Sequence, residues 1–395
     1  MKNKNGIKNA IVPALLLQLC SGTCYCFSIY RTEISEILSC SDGMTGWLFT
    51  AVIFFLGLFA AFSGKHVEKN VYRSSLLASV LLPVGMFIIT ASLLLKNYII
   101  AMIGFCVMGA GVGLSYICPV KTLALWYQNN KGLATSISIA SFGLSKTLFS
   151  PIMLWLQKTI GTIEMFFVLG IIFFIIMYIG HLLLAKPDNW IEIASQNGIK
   201  TKQIVINKTF WILFIMFLIS ISNGLCLIGY EKQLLIEYEI NAIGLICAVT
   251  AIFNCLGRIG FSFLADKTQN KFDCYMIMAT INGILTVFMF FKILNNYVTN
   301  NEIIILLCVI NATYGGFFAS LVPILAEEFD LKYLSTVHSY ELVAWSLGAI
   351  SSTFLLQCFT DFTYLIGFMS IFYLISIIIG MLHINSKKEN KKEVI

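Results

Sequence analysis

Twelve apolar stretches dominate the chain, at about 10–30, 44–64, 74–95, 98–126, 132–156, 163–185, 209–229, 241–265, 273–293, 302–326, 334–357 and 362–384, each about as long as or longer than the ~20 residues that a helix needs to cross a bilayer. That pattern predicts an all-α integral membrane protein with twelve transmembrane helices. Composition agrees: 58% of residues are hydrophobic, 12% are charged, and the mean hydropathy is +0.86. Soluble domains carry roughly 25% charged residues. The first run has no small-residue cleavage site and many more runs follow, so it reads as a retained span and not a signal peptide.

The basic residues set an expected orientation. With the N-terminus inside, eighteen Lys and Arg fall on inner segments and five (Arg31, Lys96, Lys158, Lys232, Lys292) on outer loops. Cytosolic loops carry such an excess, so both termini are expected in the cytosol. Glu33, Glu36, Glu231, Glu237 and Glu239 are expected in the outer loops. The polar segment 186–208, with Pro187, divides the chain into an N-terminal six-helix half (1–185) and a C-terminal half (209–385), followed by a basic tail (386–395). The halves also repeat a loop: Glu68-Lys69 with Arg73 follows the second span, and Asp266-Lys267 with Lys271 follows the eighth. An acid–base loop at equivalent positions marks a parallel repeat about the membrane normal, with the charges acting as conformational clasps.

Within the eighth run stands Asn254-Cys-Leu-Gly-Arg258-Ile-Gly260. Counted back from Asp266, Arg258 lies about 12 Å inside the helix end, near the middle of a hydrocarbon core ~30 Å thick. A guanidinium there costs about 2.5–3.5 kcal/mol on insertion scales, and it cannot shed its proton. The alternatives are a carbonyl or carboxylate on a neighbouring helix, or a fork of donors facing a central cavity and an anion. The second reading makes the rest of the chain a scaffold for this charge.

Two longer stretches carry a resemblance. The first is Gly109-Ala-Gly111-Val-Gly113-Leu-Ser-Tyr116-Ile-Cys-Pro119, then Trp126-Tyr127, Lys131-Gly132-Leu-Ala, Ser141-Phe142-Gly143 and Pro151. The second is Tyr314-Gly315-Gly316-Phe, Pro323, Glu328-Phe329, Val337-His338 and Ala344-Trp345-Ser346. With two halves of six and a repeated inner loop, these resemble the major facilitator superfamily and, within it, the oxalate:formate antiporter family. The resemblance implies a major facilitator fold of two pseudo-symmetric six-helix bundles and transport of small carboxylates. It also implies that Arg258 binds the carboxylate, with Tyr116 and Tyr314 beside it. Oxalate-carrying members pair that arginine with a lysine in helix 11, where this chain has Trp345. One fixed charge suits a monoanion better than a dianion, and an indole can pack on a short carbon chain. Independently of the resemblance, Gly109, Gly111 and Gly113 allow close helix approach. Pro119, Pro151 and, by its place in the second motif, Pro323 stand where helices bend.

Other ionisable residues lie in the runs. Lys146, in the fifth, is a candidate second cation of the site, or a lysine that snorkels outward. His338 and Glu341 share a face near the inner end of the eleventh run; histidine titrates between pH 5 and 8, which makes them a candidate proton relay or a polar gate. Cys20, Cys24 and Cys26 have no His or carboxylate beside them, so no metal site is expected, and the cysteines imply no disulfide framework. There is no phosphate-cradling glycine loop or catalytic triad, so neither ATP-driven pumping nor an enzyme is expected, and no cofactor. Lysines dispersed at loop ends argue against nucleic acid. The expected function is a secondary active transporter of small monocarboxylates (the pyruvate, lactate and formate class), working by alternating access as exchanger or proton symporter. The expected setting is a monomer in the lipid bilayer of the plasma membrane, or of an organelle, with a small carboxylate as substrate and protons as candidate partner ions. The alternatives are a dicarboxylate exchanger, a carrier of sugars or amphiphiles, and a metabolite receptor that does not transport.

Overall fold

In the computed structural model of the protein, which describes residues 6–127, 131–187, 204, 206–268, 270–329, 334–359 and 361–393, the chain is a bundle of long helices, with no strand among the described residues. They are α1 (Ile7–Leu38), α2 (Asp42–Lys69), α3 (Val71–Leu94), α4 (Tyr98–Trp126), α5 (Lys131–Ile160), α6 (Thr162–Leu183), α7 (Lys208–Glu237), α8 (Ile243–Lys267), α9 (Phe272–Leu294), α10 (Asn300–Glu328), α11 in two segments (Leu334–Glu341 and Val343–Cys358) and α12 (Phe362–Glu393). Eleven of these, all but α11, are long and apolar enough to cross a membrane. The expected eleventh span is the helix broken at Leu342.

Polar side chains fix where several helices begin. The Ser41 hydroxyl accepts from the Met44 amide at 3.2 Å, and the Asn97 side chain accepts from Ile99 and Ile100 at 3.0 and 3.1 Å. Thr299 and Glu302 close a reciprocal capping box at the start of α10. Each cap satisfies amides that would otherwise lack partners. Several helices overrun their expected ends, α2 to Lys69 and α12 to Glu393 among them. α1 continues to Leu38, where Ser39 turns left-handed (φ 48°), and α7 continues to Glu237, ahead of Glu239 (φ 51°). Hydropathy falls where the hydrocarbon ends, but nothing in the backbone stops a helix there. Arg31, Glu33, Glu36, Glu231 and Glu237 are therefore helical, not loop residues.

The packing repeats six helices on. α3 lies along α4, α2 along α4, α3 along α6 and α1 along α5; likewise α9 lies along α10, α8 along α10, α9 along α12 and α7 along α11. The two sets meet through equivalent seams, α5 with α8 and α11 with α2. Glycines set several of the spacings. A Cβ on Gly109 would stand 2.3 Å from the Val52 carbonyl oxygen and one on Gly113 2.4 Å from that of Leu56, so α4 seats directly on the backbone of α2. α6 shows the two-faced pattern of a peripheral span. Phe166, Leu169, Phe173 and Met177 are buried, while Phe167, Ile171, Phe174 and Tyr178 are exposed towards what would be lipid. All twelve cysteines are free thiols.

Candidate functional site

Arg258 sits on α8 where that helix crosses both α5 and α10, and it is fully buried. Two glycines make room for it. A Cβ on Gly143 of α5 would stand 3.0 Å from Arg258 Nε, and one on Gly315 of α10 would stand 3.0 Å from its Cγ. The residue just before Arg258, Gly257, lies so close to α10 that its Cβ would fall 1.9 Å from the Ala312 carbonyl oxygen. The guanidinium donates from Nε to Asn254 Oδ1 at 2.8 Å and from Nη1 to the Ile139 carbonyl at 3.1 Å. Among the described residues Nη2 has no hydrogen-bond partner and no carboxylate pairs with Arg258. The guanidinium is thus held by both halves while Nη2 stays unused.

Aromatic rings close around this charge. Its carbon lies 5.3 Å from the Phe318 ring centre and 6.0 Å from that of Phe142. Trp345 packs on Phe318 at 4.4 Å, on Tyr116 at 5.4 Å and on Phe142 at 6.0 Å. The Tyr25 and Tyr314 hydroxyls meet at 2.8 Å, joining α1 to α10. Tyr116 faces the guanidinium, but neither its hydroxyl nor Trp345 Nε1 reaches hydrogen-bonding geometry among the described residues. The sequence-expected Arg258, Tyr116, Tyr314 and Trp345 therefore converge, from α8, α4, α10 and α11. A ring face attracts a cation, which stabilises the buried guanidinium between anions.

Lys146 stands one turn beyond Gly143 on α5, 2% exposed, and forms an ion pair with Glu231 of α7, which is fully buried. The other Glu231 oxygen accepts from the Thr250 hydroxyl of α8 at 2.5 Å. A cavity of only about 10 Å³ lies beside Lys146 and Asn254, lined by Tyr25, Gly143, Lys146, Asn254 and Asn311 among others. That is room for a single water at most, so the centre is closely filled at this point. A second cavity of about 270 Å³ opens at the expected external end, walled by Arg31, Asp42, Phe49, Gly229, Thr353 and Gln357. There Arg31 forms a two-pronged pair with Asp42, at 2.7 and 2.5 Å.

His338 and Glu341 lie elsewhere, in the short first segment of α11 before the break at Leu342. Both are buried, and neither His338 Nε2 nor the Glu341 carboxylate has a hydrogen-bond partner among the described residues. Glu341 is set against Tyr275 of α9. The break itself is a tight turn, in which the Trp345 amide donates to the Leu342 carbonyl, three residues back, at 3.0 Å. Of the clasp residues, the side chains of Glu68, Lys69 and Asp266 lie outside the described ones. Arg73 is in the first turn of α3, Lys271 precedes α9, and the Lys267 ammonium sits 4.2 Å from the Phe263 ring centre. Pro119, Pro151 and Pro323 lie inside α4, α5 and α10.

Tyr25 and Phe318 were not singled out by sequence, Phe142 entered only as part of a motif, and Glu231 was expected in an outer loop. One signal for Glu231 was available: a lysine as deep as Lys146 demands a carboxylate on a neighbouring helix.

The family model described as Major Facilitator Superfamily matches residues 11–353. The chain belongs to that superfamily. It is therefore a multi-pass membrane protein of a transporter family, and its helices repeat as that fold requires. It is 22% identical, over 350 residues covering 86% of this chain and 85% of the relative, to YhjX of Escherichia coli (strain K12), described as an uncharacterized MFS-type transporter. It is 24% identical over 261 residues to the oxalate:formate antiporter of Oxalobacter formigenes, spanning 62% of this chain and 59% of that protein.

Proposed function

We propose that this chain carries small monocarboxylates, of the formate, lactate and pyruvate class, by alternating access of its two halves. The observation that carries the reading is the charge count at the centre. Lys146 is cancelled by Glu231, whereas Arg258 at the same helix crossing meets no carboxylate among the described residues. Its free Nη2 and the aromatic walls suit one carboxylate on a short apolar body. The relative named for oxalate and formate supports carboxylates as the class. The moving units in this reading are 1–185 and 209–385, rocking on the α5–α8 and α2–α11 seams. Both termini face the cytosol in this reading, which the distribution of Lys and Arg supports, with the plasma membrane as the simplest setting. Tyr25, Tyr314 and the bonds of Arg258 hold this closely filled centre, and cargo loosens them by competing for the guanidinium.

The test is uptake of labelled formate, lactate and pyruvate by proteoliposomes, with oxalate and a neutral sugar alongside. Arg258→Gln should reach the membrane and lose saturable uptake, because a desolvated carboxylate without its partner costs several kcal/mol. Saturable monocarboxylate uptake by that variant at wild-type affinity would remove Arg258 from the mechanism. Transport of the sugar alone would remove carboxylates.

A further inference from the structure

The α5–α8 seam carries a polar ladder whose rungs have different charges. On α8, Thr250, Asn254 and Arg258 recur every four residues and so share one face. On α5, running the other way, Lys146, Gly143 and Ile139 answer them. Thr250 and Lys146 both hold Glu231, Gly143 abuts Asn254, and the Ile139 carbonyl accepts from Arg258. Lys146 therefore stands about 5 Å further along α5 than the glycine that seats the arginine, since a helix rises ~1.5 Å per residue. It lines the same small cavity as Asn254, the partner of that arginine. The geometry is that of two cationic positions on one helix seam, of which one already holds a carboxylate.

We propose that Glu231 is a resident carboxylate: it occupies the second cationic position, at Lys146, and so limits cargo to a single negative charge. This rests on the reading of Arg258 as a carboxylate site and adds what selects among carboxylates. Glu231 is fully buried and uses both oxygens, one on Lys146 and one on Thr250. Its neighbour in the chain, Lys232, does not compete for it. That ammonium turns to the Ile29 carbonyl at 2.9 Å and to Glu33 at 3.1 Å, both on α1. A dianion entering at this seam finds one partner and a repelling carboxylate, whereas a monoanion finds its partner and no penalty. Exclusion by an unpaired buried charge is a strong form of selectivity.

The charge count predicts each variant. In the wild type Arg258, Lys146 and Glu231 around this seam sum to one net positive charge. Glu231→Gln keeps the size and an oxygen for Thr250 but leaves two positive charges. Oxalate binding, measured by competition against labelled formate in reconstituted protein, should rise about ten-fold or more relative to formate. Lys146→Gln leaves the seam neutral and should weaken formate about ten-fold or more. The double variant Glu231→Gln/Lys146→Gln restores one positive charge, and it should recover formate binding relative to Lys146→Gln without gaining oxalate. If Glu231→Gln is unstable in detergent, the readout is its melting temperature, which oxalate should raise more than formate does. An unchanged oxalate-to-formate ratio in Glu231→Gln, equal stabilisation by the two anions, or no recovery in the double variant overturns the proposal. Failure of the wild type to bind either anion is a different result, and strikes the carboxylate reading itself.

Discussion

Replacing Gly143 by alanine places one methyl group between the two residues that matter most. Its Cβ would lie 2.7 Å from Asn254 Oδ1, 3.0 Å from Arg258 Nε and 3.3 Å from Arg258 Cδ. Non-bonded atoms sit comfortably at about 3.4 Å or beyond, so the amide oxygen must retreat by about 0.7 Å. Its 2.8 Å bond to Nε cannot lengthen that far and survive, because an N–H···O bond is confined to roughly 2.7–3.2 Å. A hydrogen bond to a charged group contributes about 1.5–3 kcal/mol, which corresponds to a ten- to hundred-fold loss of carboxylate affinity, at about 1.4 kcal/mol per decade. The helix itself should tolerate the change, since alanine is favoured over glycine in a helix interior by about 1 kcal/mol. The assay is formate affinity in detergent, with melting temperature recorded on the same sample. Asn254→Ala should show a comparable loss, and the double variant little more than either, because both substitutions break one bond. Gly143→Ala with formate affinity within about two-fold of wild type, at unaltered Asn254→Ala behaviour, would refute the seating of Arg258 by these two residues.

Three further outcomes are expected. Trp345→Lys places a second cation beside the aromatic walls, so uptake preference should move toward oxalate; unchanged monocarboxylate preference would mean that Trp345 does not line the path of the cargo. His338→Gln retains shape and hydrogen bonding but cannot titrate, so vesicles with an imposed pH step should lose gradient-driven accumulation while counterflow exchange persists; accumulation equal to wild type would place coupling elsewhere. Gly257→Ala drives a methyl to 1.9 Å from a backbone oxygen of α10, an overpacking that should lower stability by about 1–3 kcal/mol, read as a fall in melting temperature.

The fold was legible because hydrocarbon imposes length and hydropathy on every crossing segment, and both are local properties. The same local logic placed Arg258 at depth. It failed where the determinants are not local. Glu231 reads as a loop acid because the seventh apolar run ends before it, yet the helix continues to Glu237, and the partner that explains its burial is 85 residues away. The break at Leu342 carries neither proline nor glycine, so no residue at that point announces it. Phe142 and Phe318 look like any other phenylalanine in an apolar run; only the crossing of α5, α8 and α10 brings them to the same guanidinium.

The seat of Arg258 is built largely from parts that cannot be exchanged. Ile139 contributes only a carbonyl, which every residue possesses, so substitution there leaves the bond to Nη1 in place. Gly143, Gly257 and Gly315 contribute the absence of a side chain, and any replacement thrusts atoms into contacts already closed. Variation can add to this seat or damage it, but has few ways to reshape it. A blocking compound that grips the free edge of the guanidinium would therefore leave the protein little scope for resistance at the point of grip. Escape would have to come from Asn254 or from the replaceable aromatic walls, above all Trp345 and Phe318, which is where a resistance screen should be read first.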